Sequence, residues 1–243
     1  MPYYFFMWIA FIGVVIVNIL SNVLPLNGQT IAEISNRLEV LFKPAGYVFS
    51  IWVVIYIALA IWLFLQFKQV KNGSFNQNIG ISFIISCLFN IAWIFTWHYE
   101  LFVISILMMV GLLLSLITIY VQYRRRDRSI GQRLPFSLYL AWITVATVAN
   151  MSYVLKYYGV NLGISEVIGS LMLVALAAII GFIAGTYSRD LYFVLVIVWA
   201  LIGIIVENSY LTMQIGTGAI TIVLVVAVIL AVMGRKAREV IFR

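Results

Sequence analysis

Residues 165–187 read SEVIGSLMLVALAAIIGFIAGTY, an apolar run whose one charged residue, Glu166, stands at its start. A hydrocarbon core about 30 Å thick is crossed by roughly 20 apolar residues in helical form, and this run has the length and the composition for it. Similar runs recur at roughly 3–25, 46–67, 79–97, 101–123, 134–156, 191–208 and 217–233, bounded by charge, Gly or Pro. The run at 191–208 is one of the two shortest, beside 217–233. In lipid every backbone N–H and C=O must be paired internally, and runs of about 20 residues, not alternating ones of about 10, select helices over a barrel. The composition agrees: of 243 residues, 65% are hydrophobic and 9% charged, too little polar surface to cover a water-soluble globule. The expected fold class is an all-α integral membrane protein, a bundle of about eight transmembrane helices with the lipid bilayer as its first partner.

Charge placement supports the same topology. Cytoplasmic loops carry an excess of Lys and Arg. If all eight runs cross, one side holds both termini together with Lys68, Lys71, Arg124, Arg125, Arg126, Arg128, Arg133, Arg189, Arg235, Lys236, Arg238 and Arg243, which is 12 of the 15 basic residues. Arg37, Lys43 and Lys156 lie opposite. Removing the seventh span would leave 8 against 7, with no bias. Both termini are therefore expected to be cytoplasmic, with Arg124-Arg125-Arg126 setting orientation or binding anionic lipid. The net charge of +7 sits in short loops between apolar runs, which argues for membrane topology and no nucleic-acid partner.

Several classes of chemistry lack their residues. Glu100, Asp127, Glu166, Asp190 and Glu207 fall at or near span ends, so no carboxylate or lysine stands in mid-membrane as a proton relay. His98 is the only histidine, and a His-rich metal centre or bis-His haem cannot be built from it. Cys87 is the only cysteine and reads as a packing residue. No Ser/His/Asp set or phosphate loop is visible, so the expectation is no catalytic residue, no metal and no resident cofactor. The first run lacks a basic leader and a small-residue cleavage pattern, and reads as a retained helix.

Composition shifts at Gly159 to Gly163: six of the seven Trp lie before it and Trp199 after. The expected organisation is a five-span domain over 1–158 and three further spans with a basic cytoplasmic tail over 159–243. In the sixth span Ala177, Gly181 and Gly185 recur every four residues. Such a small-residue face is either a homodimer seam or the seat of a neighbouring helix of the same chain.

Aromatic and amide residues align at helical spacing on separate spans. Phe49, Trp52 and Tyr56 share a face of span two, and Ser86, Asn90, Trp93 and Trp97 one of span three. Span five carries Tyr139, Trp142, Asn150 and Tyr153, and span one carries Asn18, Ser21 and Asn22. At about 1.5 Å of rise per residue, Trp52, Asn90, Trp93 and Asn150 fall between mid-membrane and the outer half, and Trp142 lies deeper. These residues suit a pocket for a flat, largely hydrophobic ligand. The competing reading is packing, with Asn90 and Asn150 as helix glue, and for Trp97, Tyr3, Tyr4, Tyr123 and Tyr157 an interfacial belt.

Residues 42–56, FKPAGYVFSIWVVIY, resemble the PPGWVFGPVWTxLY segment of the tryptophan-rich sensory protein/translocator protein (TspO/MBR) family. Asn90-Ile-Ala-Trp93 and residues 135–150, PFSLYLAWITVATVAN, continue the resemblance in the family's order. It covers about the first 158 residues, and the preceding PLNGQTIAEIS resembles the longer bacterial form. Ala45 replaces a motif proline, and one residue fewer separates Phe49 from Trp52. The resemblance implies a five-helix bundle in a bacterial inner membrane, with a cavity capped by the loop from Asn27 to Lys43. It also implies porphyrin or other hydrophobic ligands, with Trp52, Asn90, Trp93, Trp142 and Asn150 lining the cavity; Tyr56, which shares the face of Trp52 on span two, joins them as an expected binding residue. Three functions follow: a receptor or sensor for a tetrapyrrole, a transporter of such compounds, or a porphyrin-degrading enzyme acting through Trp52 and Trp142.

Overall fold

The computed structural model describes residues 2–126, 130–160 and 163–241. Arg128 and Arg243 of the basic-residue tally and Asp127 of the span-end carboxylates lie outside the described residues, as do Asn161 and Leu162 of the compositional boundary and the side chains of Arg125, Arg126, Arg235, Lys236 and Arg238. The described chain is helical: α1 (Pro2–Val23), α2 (Ile31–Asn36), α3 (Ile51–Lys71), α4 (Gln77–His98), α5 (Phe102–Arg126), α6 (Ile130–Tyr157), α7 (Glu166–Thr186), α8 (Leu191–Glu207) and α9 (Leu211–Ile241). Seven helical segments are long and apolar enough to cross a membrane. The eighth apolar helix, α8, has 17 residues, a rise of about 25 Å, at the short end of what spans a bilayer. It is one of the two runs expected to be shortest. The last span is longer than its hydropathy suggests, because α9 begins at Leu211.

Local chemistry explains where the helices start and stop. Pro25 follows α1, and Asn27 (φ 54) and Gly28 (φ 79) take the left-handed conformation that Asn and Gly tolerate best. Thr30 and Glu33 form a capping box on α2, the Thr30 hydroxyl accepting from Glu33 N–H and the Glu33 carboxylate from Thr30 N–H. Asn76, Ser165 and Asp190 cap α4, α7 and α8 by accepting from the backbone of Asn78, Ile168 and Phe193.

The chain forms two compact units, Met1–Val40 with Ser50–Val160, and Leu41–Phe49 with Asn161–Arg243. In the first, α1, α4, α5, α6 and α3 pack in that cyclic order, with α1 also against α3, so the five helices close on themselves. One end of its core is aromatic: Trp62, Phe83 and Phe136 are fully buried and in mutual ring contact, and Trp62 Nε1 donates to Tyr123 Oη at 2.8 Å. Tyr123 is thus buried inside the unit, not on a lipid-facing belt, because its hydroxyl has an indole partner there.

In the second unit α7, α8 and α9 pack pairwise. The small-residue face of α7 is used within the chain. Gly181 faces Ile197 of α8, and a Cβ at Gly185 would stand 2.7 Å from Val194 of α8 and 3.3 Å from Val228 of α9. Of the two readings of that stripe, the seat for neighbouring helices is the one observed.

Candidate functional site

On α3, Trp52 and Tyr56 are one turn apart, so their rings stack, with centroids 5.4 Å apart and planes at 21°. From α6, Tyr139 and Trp142 approach the Trp52 indole edge-on, at 5.7 Å and 6.2 Å. Phe11 of α1 meets Tyr56 at 6.4 Å. Behind the rings, Asn90 of α4 donates to Tyr139 Oη at 2.8 Å and accepts from Asn18 Nδ2 of α1 at 2.9 Å. One amide therefore ties three helices. Trp142, Tyr139 and Asn90 are buried, while Trp52 and Tyr56 are half-buried. The Tyr56 hydroxyl is itself buried and has no hydrogen-bond partner.

Trp52, Tyr56, Trp142 and Asn90 thus form one group, which Tyr139 links together. Trp93 and Asn150 have other neighbours. Trp93 lies against Trp97, 6.2 Å away on the same face of α4, and its indole N–H is buried without a partner. Asn150 exchanges hydrogen bonds with Ser105 of α5, 3.1 Å and 3.3 Å. Asn90 and Asn150 therefore both bridge helices, as the packing reading expects of buried amides in lipid.

Trp97 is buried and in ring contact with Phe102 and Tyr153, where an interfacial belt had been expected. The cause is the loop between α1 and α3, which puts Ile34 and Val40 into the same core as Trp97, Phe102, Tyr153 and Val154. That loop is tethered at several points. Asn27 Nδ2 donates to the His98 carbonyl at 3.0 Å, and Tyr153 Oη to the Ile34 carbonyl at 2.9 Å. Lys156 reaches the Glu39 carbonyl. Arg37 pairs with Glu100 at 2.8 Å and also bonds Gln29. The Arg37 guanidinium, bonded to the Glu100 carboxylate, holds that carboxyl below its ordinary value, and Glu100 in turn raises Arg37. The loop is therefore a lid fixed over the α4–α5 turn and the end of α6. Its described extent within this unit stops at Val40, since Leu41 to Lys43 belong to the other unit.

Tyr139, Asn18, Phe102 and Ile34 were not among the expected binding residues. Tyr139 and Asn18 lie on the polar and aromatic stripes of their spans, and that signal was available. Phe102 and Ile34 look like ordinary apolar residues, and only the lid's placement singles them out. Among the described residues no three His, Cys, Asp or Glu side chains are grouped to hold a metal.

These observations define the class of the protein: a multi-pass, all-helical membrane protein whose first unit closes five helices around an aromatic and amide interior. The family model described as "TSPO-like protein" matches residues 4–233, and the chain belongs to that family. The matched range runs past the five-helix unit into α9, so α7 and α8 lie within it too. Comparison with curated proteins and with solved structures gives no match.

Proposed function

We propose that the protein is a membrane receptor for a flat hydrophobic ligand of the porphyrin kind, which binds within the first unit against Trp52, Tyr56 and Trp142. In this reading Asn90 and Asn150 hold the helices that frame the site, Trp93 extends it towards the lid, and both termini face the cytoplasm of a bacterial inner membrane. The observation that carries it is the Tyr56 hydroxyl, buried without a partner beside the stacked face of Trp52. Apolar burial gives such a ligand little advantage over lipid, whose tails are as apolar as Leu. Selection must then come from ring stacking and from polar groups that lack a partner until the ligand arrives. A buried hydroxyl without an acceptor costs about 1–3 kcal/mol, which an acceptor on the ligand would recover. Each ring contact that the ligand replaces is worth about 0.5–1.5 kcal/mol, so the ligand can insert at small expense.

Titration of the purified protein with protoporphyrin, followed by tryptophan quenching, tests the reading. Saturable binding that a Trp52→Ala, Trp142→Ala double substitution weakens by about tenfold or more is expected from the loss of two stacking walls. Unchanged affinity in the double variant removes the site. Saturable porphyrin flux in proteoliposomes would replace a receptor by a transporter, and consumption of the compound with turnover would replace it by an enzyme.

A further inference from the structure

The C-terminal end of α4 carries two hydrogen-bond donors with nothing to bond. The indole N–H groups of Trp93 and Trp97 are both buried and both without a partner. The two residues stand one turn apart, with ring centroids separated by 6.2 Å and planes at 30°, on the stripe of α4 that also carries Asn90. Asn90 bonds Tyr139, whose ring approaches Trp52 edge-on at 5.7 Å, so the stripe leads from the Trp52–Tyr56 stack to the lid. From Asn90 to Trp97 the rise along α4 is about 10 Å. Packing accounts for the Trp97 ring, which lies 5.2 Å from Phe102 and 4.8 Å from Tyr153. It does not account for the N–H groups, because a phenylalanine ring packs without stranding a donor, and buried polar groups without partners are rare.

An indole N–H only donates, so the group that completes Trp93 and Trp97 is one that accepts. Two donors one turn apart suit a group with two acceptor atoms side by side, as the oxygens of a carboxyl group are, and an ionised carboxyl makes the stronger bonds. The charges around this end of the unit admit one. Glu100 is matched by Arg37, and the Glu33 and Glu39 side chains are exposed, where solvent screens them. Lys156, half-buried and three residues from Tyr153 on α6, brings a positive charge in to the Glu39 carbonyl. On a flat tetrapyrrole the ring nitrogens face its centre, and the acceptors that reach outward from its edge are carboxyl groups. We infer that the indole N–H groups of Trp93 and Trp97 hold a carboxyl group on the rim of the ligand whose ring stacks at Trp52 and Tyr56. The site then selects flat ligands with an edge carboxyl over wholly apolar ones, and Trp97 joins it as a binding residue. This inference rests on the ligand reading proposed above.

The test uses the full chain in lipid nanodiscs and two porphyrins: protoporphyrin, which carries edge carboxyls, and etioporphyrin, the same ring system with alkyl groups only. Binding is followed by porphyrin fluorescence, and each variant is compared with wild type for the same porphyrin, which cancels partition into the lipid. Trp97→Phe and Trp93→Phe each keep an aromatic ring and delete the donor. Each should weaken protoporphyrin by about five- to tenfold and change etioporphyrin by less than about twofold. An equal loss for both porphyrins would mean that the rings act by packing, and overturns the carboxyl site. Loss in one variant alone overturns the pairing of the two donors. Should Trp97→Phe, the more deeply packed of the two, not fold, Trp93→Phe carries the same comparison. Full protoporphyrin affinity in the folded variants overturns the carboxyl site while the ligand reading stands. A wild-type protein that binds neither porphyrin above empty nanodiscs removes the ligand reading, and the carboxyl site with it.

Discussion

Asn90 Nδ2 donates to Tyr139 Oη at 2.8 Å, deep between α4 and α6, while the same amide accepts from Asn18 on α1. A single side chain here joins three helices of the first unit, α1, α4 and α6, and so fixes their mutual register. Replacing Asn90 by Leu strands the Tyr139 hydroxyl and one Asn18 proton. A loss of about 1–2 kcal/mol is expected. Unfolding in mixed micelles measures it, and Tyr139→Phe, which strands only one Asn90 donor, should lose less.

Tyr56→Phe separates stability from binding. Because the Tyr56 hydroxyl has no partner, its removal should leave the ligand-free protein as stable as before or slightly more so, while protoporphyrin affinity falls by about tenfold. A thermal melt and a quenching titration on the same preparation check both. A drop in stability with unchanged affinity would show that the hydroxyl serves packing alone.

The lid should loosen in acid. Bonding to Arg37 lowers the Glu100 pKa from the ordinary 4.5, so the pair's contribution is present above that value and is lost as pH falls through the lowered one. The Glu33 carboxylate, held down by the Thr30 backbone N–H, acts in the same direction. The Arg37 and Glu100 side chains are 38% and 30% exposed, so solvent screening keeps the pair's worth to about 1 kcal/mol or less. The protection of residues 27–40 against hydrogen exchange, corrected for the intrinsic rate at each pH, should therefore fall a few-fold as acidification protonates Glu100, and by a similar factor at neutral pH in Glu100→Gln. Equal lid exchange in wild type and Glu100→Gln would show that the pair contributes nothing.

Crossing by α8 can be read chemically. In a Cys87→Ser background, Ser209→Cys should react with a membrane-impermeant maleimide on intact cells, and Ser188→Cys only after permeabilisation, if Arg189 lies on the cytoplasmic side as the charge asymmetry predicts. Labelling of both from one side would mean that the 17 residues of α8 do not span.

Hydropathy located the long apolar helices, though not α2 or the start of α9 at Leu211, because runs of about 20 apolar residues pair their backbone in a bilayer as helices, and the match is closest from Glu166 to Thr186. The pairing of Trp52 with Tyr56 was equally legible, being a one-turn relation within α3. Sequence spacing placed Trp142 on a stripe of its own, but its meeting with Trp52 needed the closing of α3 on α6. Trp97 shows the opposite case. An aromatic residue at the end of a span has the signature of an interfacial anchor, and only the folding of the lid, with Ile34 laid against it, makes it core. Likewise, the small-residue face of α7 announced a close neighbour without naming it. The binding of Leu41–Phe49 to α8 left the faintest trace, since three of its hydrogen bonds end on backbone carbonyls, which every residue carries. The sequence by itself determined a multi-pass helical membrane protein and the order of its aromatic motifs, because those depend on local periodicity and on the solvent. Which rings touch, where the lid rests and what α8 holds were decided by tertiary structure, because they depend on non-local contacts whose partners are set only when the helices pack.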